Sequence, residues 1–95
     1  MYFVLFCLDK PSSADLRAGI RPLHLEYIEA HMDMIVFAGP LLADDSETAI
    51  GSLIVIDCPD IAAAKAFAKD DPYALGGLFE TVEIRRWRKV LPAAA

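Results

Sequence analysis

The chain is short of positive charge. Lys and Arg together number nine against fourteen Asp and Glu, a formal net charge of −5. Nucleic-acid binding needs clustered cations against phosphate, so no nucleic-acid partner is expected. The one basic run, Arg85-Arg86-Trp87-Arg88-Lys89, reads as the solvated end of a last strand. Cysteine is scarce too: Cys7 and Cys58 lie in or beside apolar runs without CxxC spacing. That is the usage of reduced, packed thiols in a cytoplasmic protein.

Long apolar runs are missing as well. Asp9, Asp33, Asp44 and Asp57 interrupt every stretch before it reaches the roughly 18 residues of a membrane span, so no membrane partner is expected. The start, Met1-Tyr2-Phe3-Val4, has no basic region of a signal peptide. There is no phosphate loop or dinucleotide fingerprint, no EF-hand spacing around Asp44-Asp45 and no GxSxG elbow. His24 and His31 stand two helical turns apart, too far for one ion. No metal and no cofactor is expected.

What is abundant is apolar surface: 56% of the 95 residues are hydrophobic. The length suits one domain, expected over 1–92 with an Ala-rich tail at 93–95. Tyr2 to Leu8 reads as a strand with apolar residues on both faces, Phe3, Leu5 and Cys7 on one, Tyr2, Val4, Phe6 and Leu8 on the other. Ser12 and Asp15 suggest a capping box, with a helix from about Ser13. Leu16, Ile20, Leu23 and Tyr27 then recur at helical spacing, extended by Ile28 and His31, and the period continues through Pro22. That pattern predicts one kinked helix, fading near Met32-Asp33. Met34 to Ala38 is a second strand ended by Gly39-Pro40, Leu41 to Ala49 a loop, and Ile50 to Asp57 a third strand. Asp60 caps a second helix that stops at Asp70-Asp71-Pro72-Tyr73, since proline disfavours helix in the residue before it. Leu78 to Val90 is a fourth strand, in which Trp87 falls out of phase.

The order is βαββαβ, a ferredoxin-like α+β fold with a four-stranded antiparallel sheet and both helices on one face. Two helices cover one sheet face only. The other apolar face is therefore expected to pair with a second copy, making a homodimer through open sheet faces.

In such a fold the first helix lies beside the end of the second, which brings Asp71 to His24. A carboxylate on one imidazole nitrogen fixes the tautomer and leaves the other as a base. Ser52 is a polar residue on the apolar face of Ile50, Ile54 and Ile56. It either bonds nearby backbone or positions His24 or a substrate oxygen. Arg17 and Arg21 read as surface ion-pair residues, with Arg21 alternatively holding a carboxylate or phenolate. Tyr73 either walls the pocket or packs beneath the corner.

These residues resemble the YciI-like family. The likeness rests on Arg17, Arg21-Pro22-Leu23-His24-Leu25-Glu26-Tyr27, Ala38-Gly39-Pro40, Gly51-Ser52-Leu53, Asp71-Pro72-Tyr73, Gly76-Gly77-Leu78-Phe79 and Trp87, in order over nearly the whole chain. The resemblance implies a dimeric α+β barrel with an active site of His24 and Asp71 and Ser52 nearby. It also implies kinship with a dehydrochlorinase for a chlorinated muconate-type ring-cleavage product. Two functions are expected from this. One is a cofactor-independent enzyme using a His–Asp dyad for elimination, isomerisation or hydrolysis of a small anionic organic substrate. The other is a non-catalytic small-molecule-binding or regulatory homodimer.

Overall fold

The computed structural model describes residues 1–93. The end of the expected tail, 94–95, lies outside the described residues. The elements run β1 (Tyr2–Asp9), α1 (Ala14–Ala30), β2 (Ile35–Leu42), β3 (Ala49–Asp57), α2 (Ile61–Asp70), α3 (Pro72–Leu75) and β4 (Phe79–Trp87). The four strands form one antiparallel sheet in the order β2-β3-β1-β4. This is the expected ferredoxin-like α+β arrangement, with one added turn of helix, α3.

Register decides which side chains share the core. Phe3 pairs with Ile56, Leu5 with Ile54 and Cys7 with Ser52. Residues opposite each other across an antiparallel pair point to the same face. Phe3, Leu5, Cys7, Ile54 and Ile56 therefore make one sheet face, and they are buried against Ile28, Ala64, Phe67 and Ala68. The small alanines of α2 let that helix approach the sheet closely, and Asp60 starts it by accepting from the Ala63 N–H at 2.8 Å. Ser52 sits in the same apolar row, opposite Cys7. Gly51 beside it has no room for a side chain, because a Cβ there would run into the Cys7 carbonyl oxygen.

Four expectations are corrected. First, β2 does not stop at Gly39-Pro40 but runs through both to Leu42, with Pro40 opposite Ser52. β2 is an edge strand, where the donor that proline lacks is not required by a neighbour. The loop after it shrinks to 43–48, closed by Ala43 N–H to the Thr48 carbonyl at 2.9 Å. Second, the capping box does not form: Ser12 takes a left-handed φ of 59°, and Ser13 occupies the N-cap without a side-chain cap bond. Third, β4 ends at Trp87 rather than Val90, where the out-of-phase Trp87 signalled a strand end. Fourth, the buried stripe of α1 is displaced by one residue from the leucines. Arg17 and Ile28 are buried and Ile20, His24, Tyr27 and His31 half-buried, while Leu16 and Leu23 are exposed at 43% and 58%. The helix itself runs unbroken through Pro22.

Candidate functional site

Pro72 positions the first functional side chain. It supplies the first residue of α3, and Asp71 before it serves as end of α2 and N-cap of α3 at once. Asp71 Oδ1 accepts from the Tyr73 N–H at 2.9 Å, which fixes the carboxylate. The same oxygen lies 2.9 Å from His24 Nδ1. His24 and Asp71, expected together, are together. Both are shielded, their side chains 12% and 3% exposed. A carboxylate only accepts, so Nδ1 carries the proton and the neutral ring keeps Nε2 bare. Among the described residues Nε2 has no hydrogen-bond partner.

Tyr73 completes the corner from below. Its ring stacks on the His24 imidazole, centroids 4.0 Å apart and planes 17° from parallel. The Arg17 guanidinium carbon stands 4.5 Å from the centre of the same ring. A face filled by an imidazole has no space for a guanidinium at that distance, so the phenol is held between them. Burial lifts the Tyr73 phenol above its ordinary range, against the opposing pull of the Arg17 and Arg21 charges, so it stays neutral.

Arg17 corrects the expectation of a surface ion pair. It is buried at 8% exposure, and its guanidinium grips Asp9 by a fork: Nε to Oδ2 at 2.7 Å and Nη2 to Oδ1 at 3.0 Å. Nη2 also donates to Ser52 Oγ at 2.9 Å. Of the two readings of Ser52, neither backbone nor His24 is its partner; Arg17 is. Burial alone would weaken the Arg17 charge, yet the hydrogen bond and charge of Asp9 hold its pKa above the ordinary value. Arg17 and Asp9 were missed as site residues. The available signal was that Arg17 stands two turns before His24, on the stripe of Ile20 and Ile28.

These side chains line a cleft of about 320 Å³ between α1 and the sheet. Arg17, Arg21, His24, Ser52 and Tyr73 give it polar groups, and Leu25, Ile28, Pro40 and Ile54 give it apolar walls. Arg21 is exposed at the rim and has no ion-pair partner among the described residues. The correction to β2 matters here, since Ala38-Gly39-Pro40 forms one wall rather than a turn beyond it. Cys7, under the site, is pushed up to about 12, first by burial and then by the charges of Asp71 and Asp9. It remains a packed thiol, not a nucleophile. His31 Nδ1 donates to the Tyr27 carbonyl at 2.7 Å, and its ring packs against Tyr27 and Phe67.

A ferredoxin-like α+β domain with a His–Asp pair at the mouth of a half-apolar cleft is the class these features define. The chain belongs to the family of the YCII-related domain, whose model matches residues 1–88. It is 32% identical to Protein YciI of Escherichia coli O6:H1, over 95% of this chain and 99% of that one. It is 30% identical to an uncharacterized protein of Haemophilus influenzae, with the same coverage. Among solved structures it resembles 5-chloro-2-hydroxyhydroquinone dehydrochlorinase (TftG) of Burkholderia phenoliruptrix AC1100, in complex with 2,5-dihydroxybenzoquinone. The TM-score is 0.88 at 26% identity, covering 93% of this chain and 94% of that one. That enzyme is named for a chlorinated hydroxyhydroquinone, not for the muconate-type product that the resemblance had suggested.

Proposed function

We propose that this protein is a cofactor-independent acid/base enzyme acting on a small anionic organic substrate. The observation that carries the reading is the 2.9 Å contact of His24 Nδ1 with a carboxylate fixed by backbone, which leaves Nε2 bare at the cleft. In this mechanism Nε2 takes a proton from the substrate, Asp71 stabilises the imidazolium that forms, and Arg21 and Ser52 hold the substrate's negative oxygen while Tyr73 backs the imidazole. In an elimination, the electron pair of the broken O–H or C–H bond moves into the substrate and expels the leaving group with its own pair. No side chain need become covalently attached. The likeness to a dehydrochlorinase supports elimination of HCl from a chlorinated hydroxyquinol as the first reaction to assay.

The active form in this proposal is a homodimer. On the open sheet face Phe6, Leu8 and Phe37 are 36%, 38% and 50% exposed, and Phe37 meets Trp87 edge to face at 6.3 Å. Such an apolar face favours a second copy. The two buried free thiols fit a cytoplasmic location. Chloride release from 5-chloro-2-hydroxyhydroquinone, followed in wild type and His24→Ala, tests the reading. Wild type turns over, and the variant keeps its circular dichroism and loses turnover. A folded His24→Ala variant as active as wild type contradicts it, and a dimer that binds the compound without turnover makes the protein a binding module.

A further inference from the structure

Ser52 Oγ makes one hydrogen bond among the described residues, and in it the oxygen accepts. A guanidinium has only donors, so the bond to Arg17 leaves the Ser52 hydroxyl proton unused. Ser52 is 4% exposed and its strand neighbours are apolar, yet it lines the same cleft as His24 and Arg21. A buried hydroxyl with a spare proton and no protein acceptor is a donor waiting for a ligand oxygen. Arg17 cannot swing away to release it, because the Asp9 carboxylate holds the fork on one side and the Tyr73 ring lies against its face.

We propose that Ser52 is the oxyanion donor of the cleft and that Arg17, braced by Asp9, is the positioning residue that commits the Ser52 proton to the ligand. The substrate class that follows is a phenolate or enolate, whose charge rests on an oxygen conjugated to a flat carbon frame. The apolar walls Leu25, Ile28, Pro40 and Ile54 suit that frame, and the rim guanidinium of Arg21 suits the charge. This deepens the acid/base reading of the same site by naming the group opposite the base. It also removes Ser52 as a nucleophile: its oxygen lone pair is engaged by a cation, which makes the hydroxyl a better donor and a poorer attacker.

The test is the selectivity of binding between 4-nitrophenolate, at a pH where it is ionised, and 4-nitroanisole, which has the same frame without the anionic oxygen. The wild-type dimer prefers the phenolate. Ser52→Ala lowers the phenolate-to-ether preference by roughly tenfold or more, the size of one hydrogen bond to a charged group. Arg17→Lys, which keeps the charge beside Asp9 but cannot span Asp9 and Ser52 together, lowers it to a similar degree. The double variant falls no further than Ser52→Ala alone, because the two act through one bond. Should Arg17→Lys fail to fold, Asp9→Asn loosens the same fork and lowers the same ratio. An unchanged ratio in Ser52→Ala, or equal weakening of both probes in the Arg17 or Asp9 variant, overturns the proposal. Loss of turnover in His24→Ala with an unaltered wild-type preference supports the base and the donor separately, so either can fail without the other.

Discussion

α1 carries one histidine just past its middle and ends on a second at its C-cap, and the partners of those histidines differ in kind. At His24 the ring meets a buried carboxylate, a stacked phenol and an open cleft. Two turns later His31 meets a backbone carbonyl and the rings of Tyr27 and Phe67. Both rings are half-buried and both use Nδ1. What separates them is the acceptor. A carboxylate brings a full negative charge to the imidazole, whereas a carbonyl among aromatics orients the ring with a dipole alone. In the proposed mechanism the turn at His24 transfers a proton, while the helix end at His31 packs.

The largest expected effect separates these two histidines. His24→Ala lowers turnover by about 10²- to 10⁴-fold, the usual worth of a positioned base, with the fold retained. His31→Ala leaves turnover within a factor of about two and instead costs stability, of the order of 1–3 kcal/mol, for a half-buried ring and its bond. Steady-state rates and denaturant midpoints on both variants read this directly. Next is Asp71, where Asn and Ala differ. Asn retains an oxygen to cap α3 but not the charge behind the imidazole, so Asp71→Asn loses turnover with little loss of stability. Asp71→Ala loses the cap as well, for a further cost of about 1 kcal/mol. If both variants lose only stability, the His24 turn of α1 is structural like the His31 end.

A smaller effect belongs to the packed end of α1. The Tyr27 hydroxyl donates to the Phe67 carbonyl at 2.8 Å, tying α1 to α2. Tyr27→Phe costs about 1 kcal/mol and leaves turnover alone. The smallest effect is one of pH. Burial, followed by the charges of Asp70 and Asp71, lifts Tyr27 to about 12, and Cys7 under the site is lifted to about 12 by burial and by Asp71 and Asp9. Both groups keep their protons in the folded chain to a pH at which the unfolded chain has released them. Their contribution is complete below the unfolded values, roughly 8.5 for Cys and 10 for Tyr, and is lost as pH rises towards 12. Thermal midpoints fall across that window, and the fall is shallower in Cys7→Ala.

The pairing of His24 with Asp71 was legible in the sequence because proline leaves the residue before it few conformations, and a carboxylate at a helix corner has few uses. The fold was legible from strand and helix order. Arg17 and Asp9 were not, because a charged residue is read as solvated until its partner is known, and these two lie on different elements. The buried stripe of α1 was misread for a related reason. Leu16-Arg17 and Leu23-His24 place two stripes side by side at the same period, and periodicity cannot choose between them. The cleft took the polar stripe, and the leucines were left outside. Pro40 was read as a stop because edge position, which excuses it, is a property of the whole sheet.

The claim that Asp71 holds His24 with Nε2 bare is tested most directly by ¹⁵N–¹H correlation spectra of the two imidazoles at mildly alkaline pH. The expected spectrum has the His24 proton on Nδ1 with Nε2 unprotonated. Asp71→Ala, which removes the acceptor oxygen, mixes the tautomers of His24 and leaves those of His31 unchanged. A His24 proton found on Nε2, or a His24 spectrum indifferent to Asp71→Ala, contradicts the account.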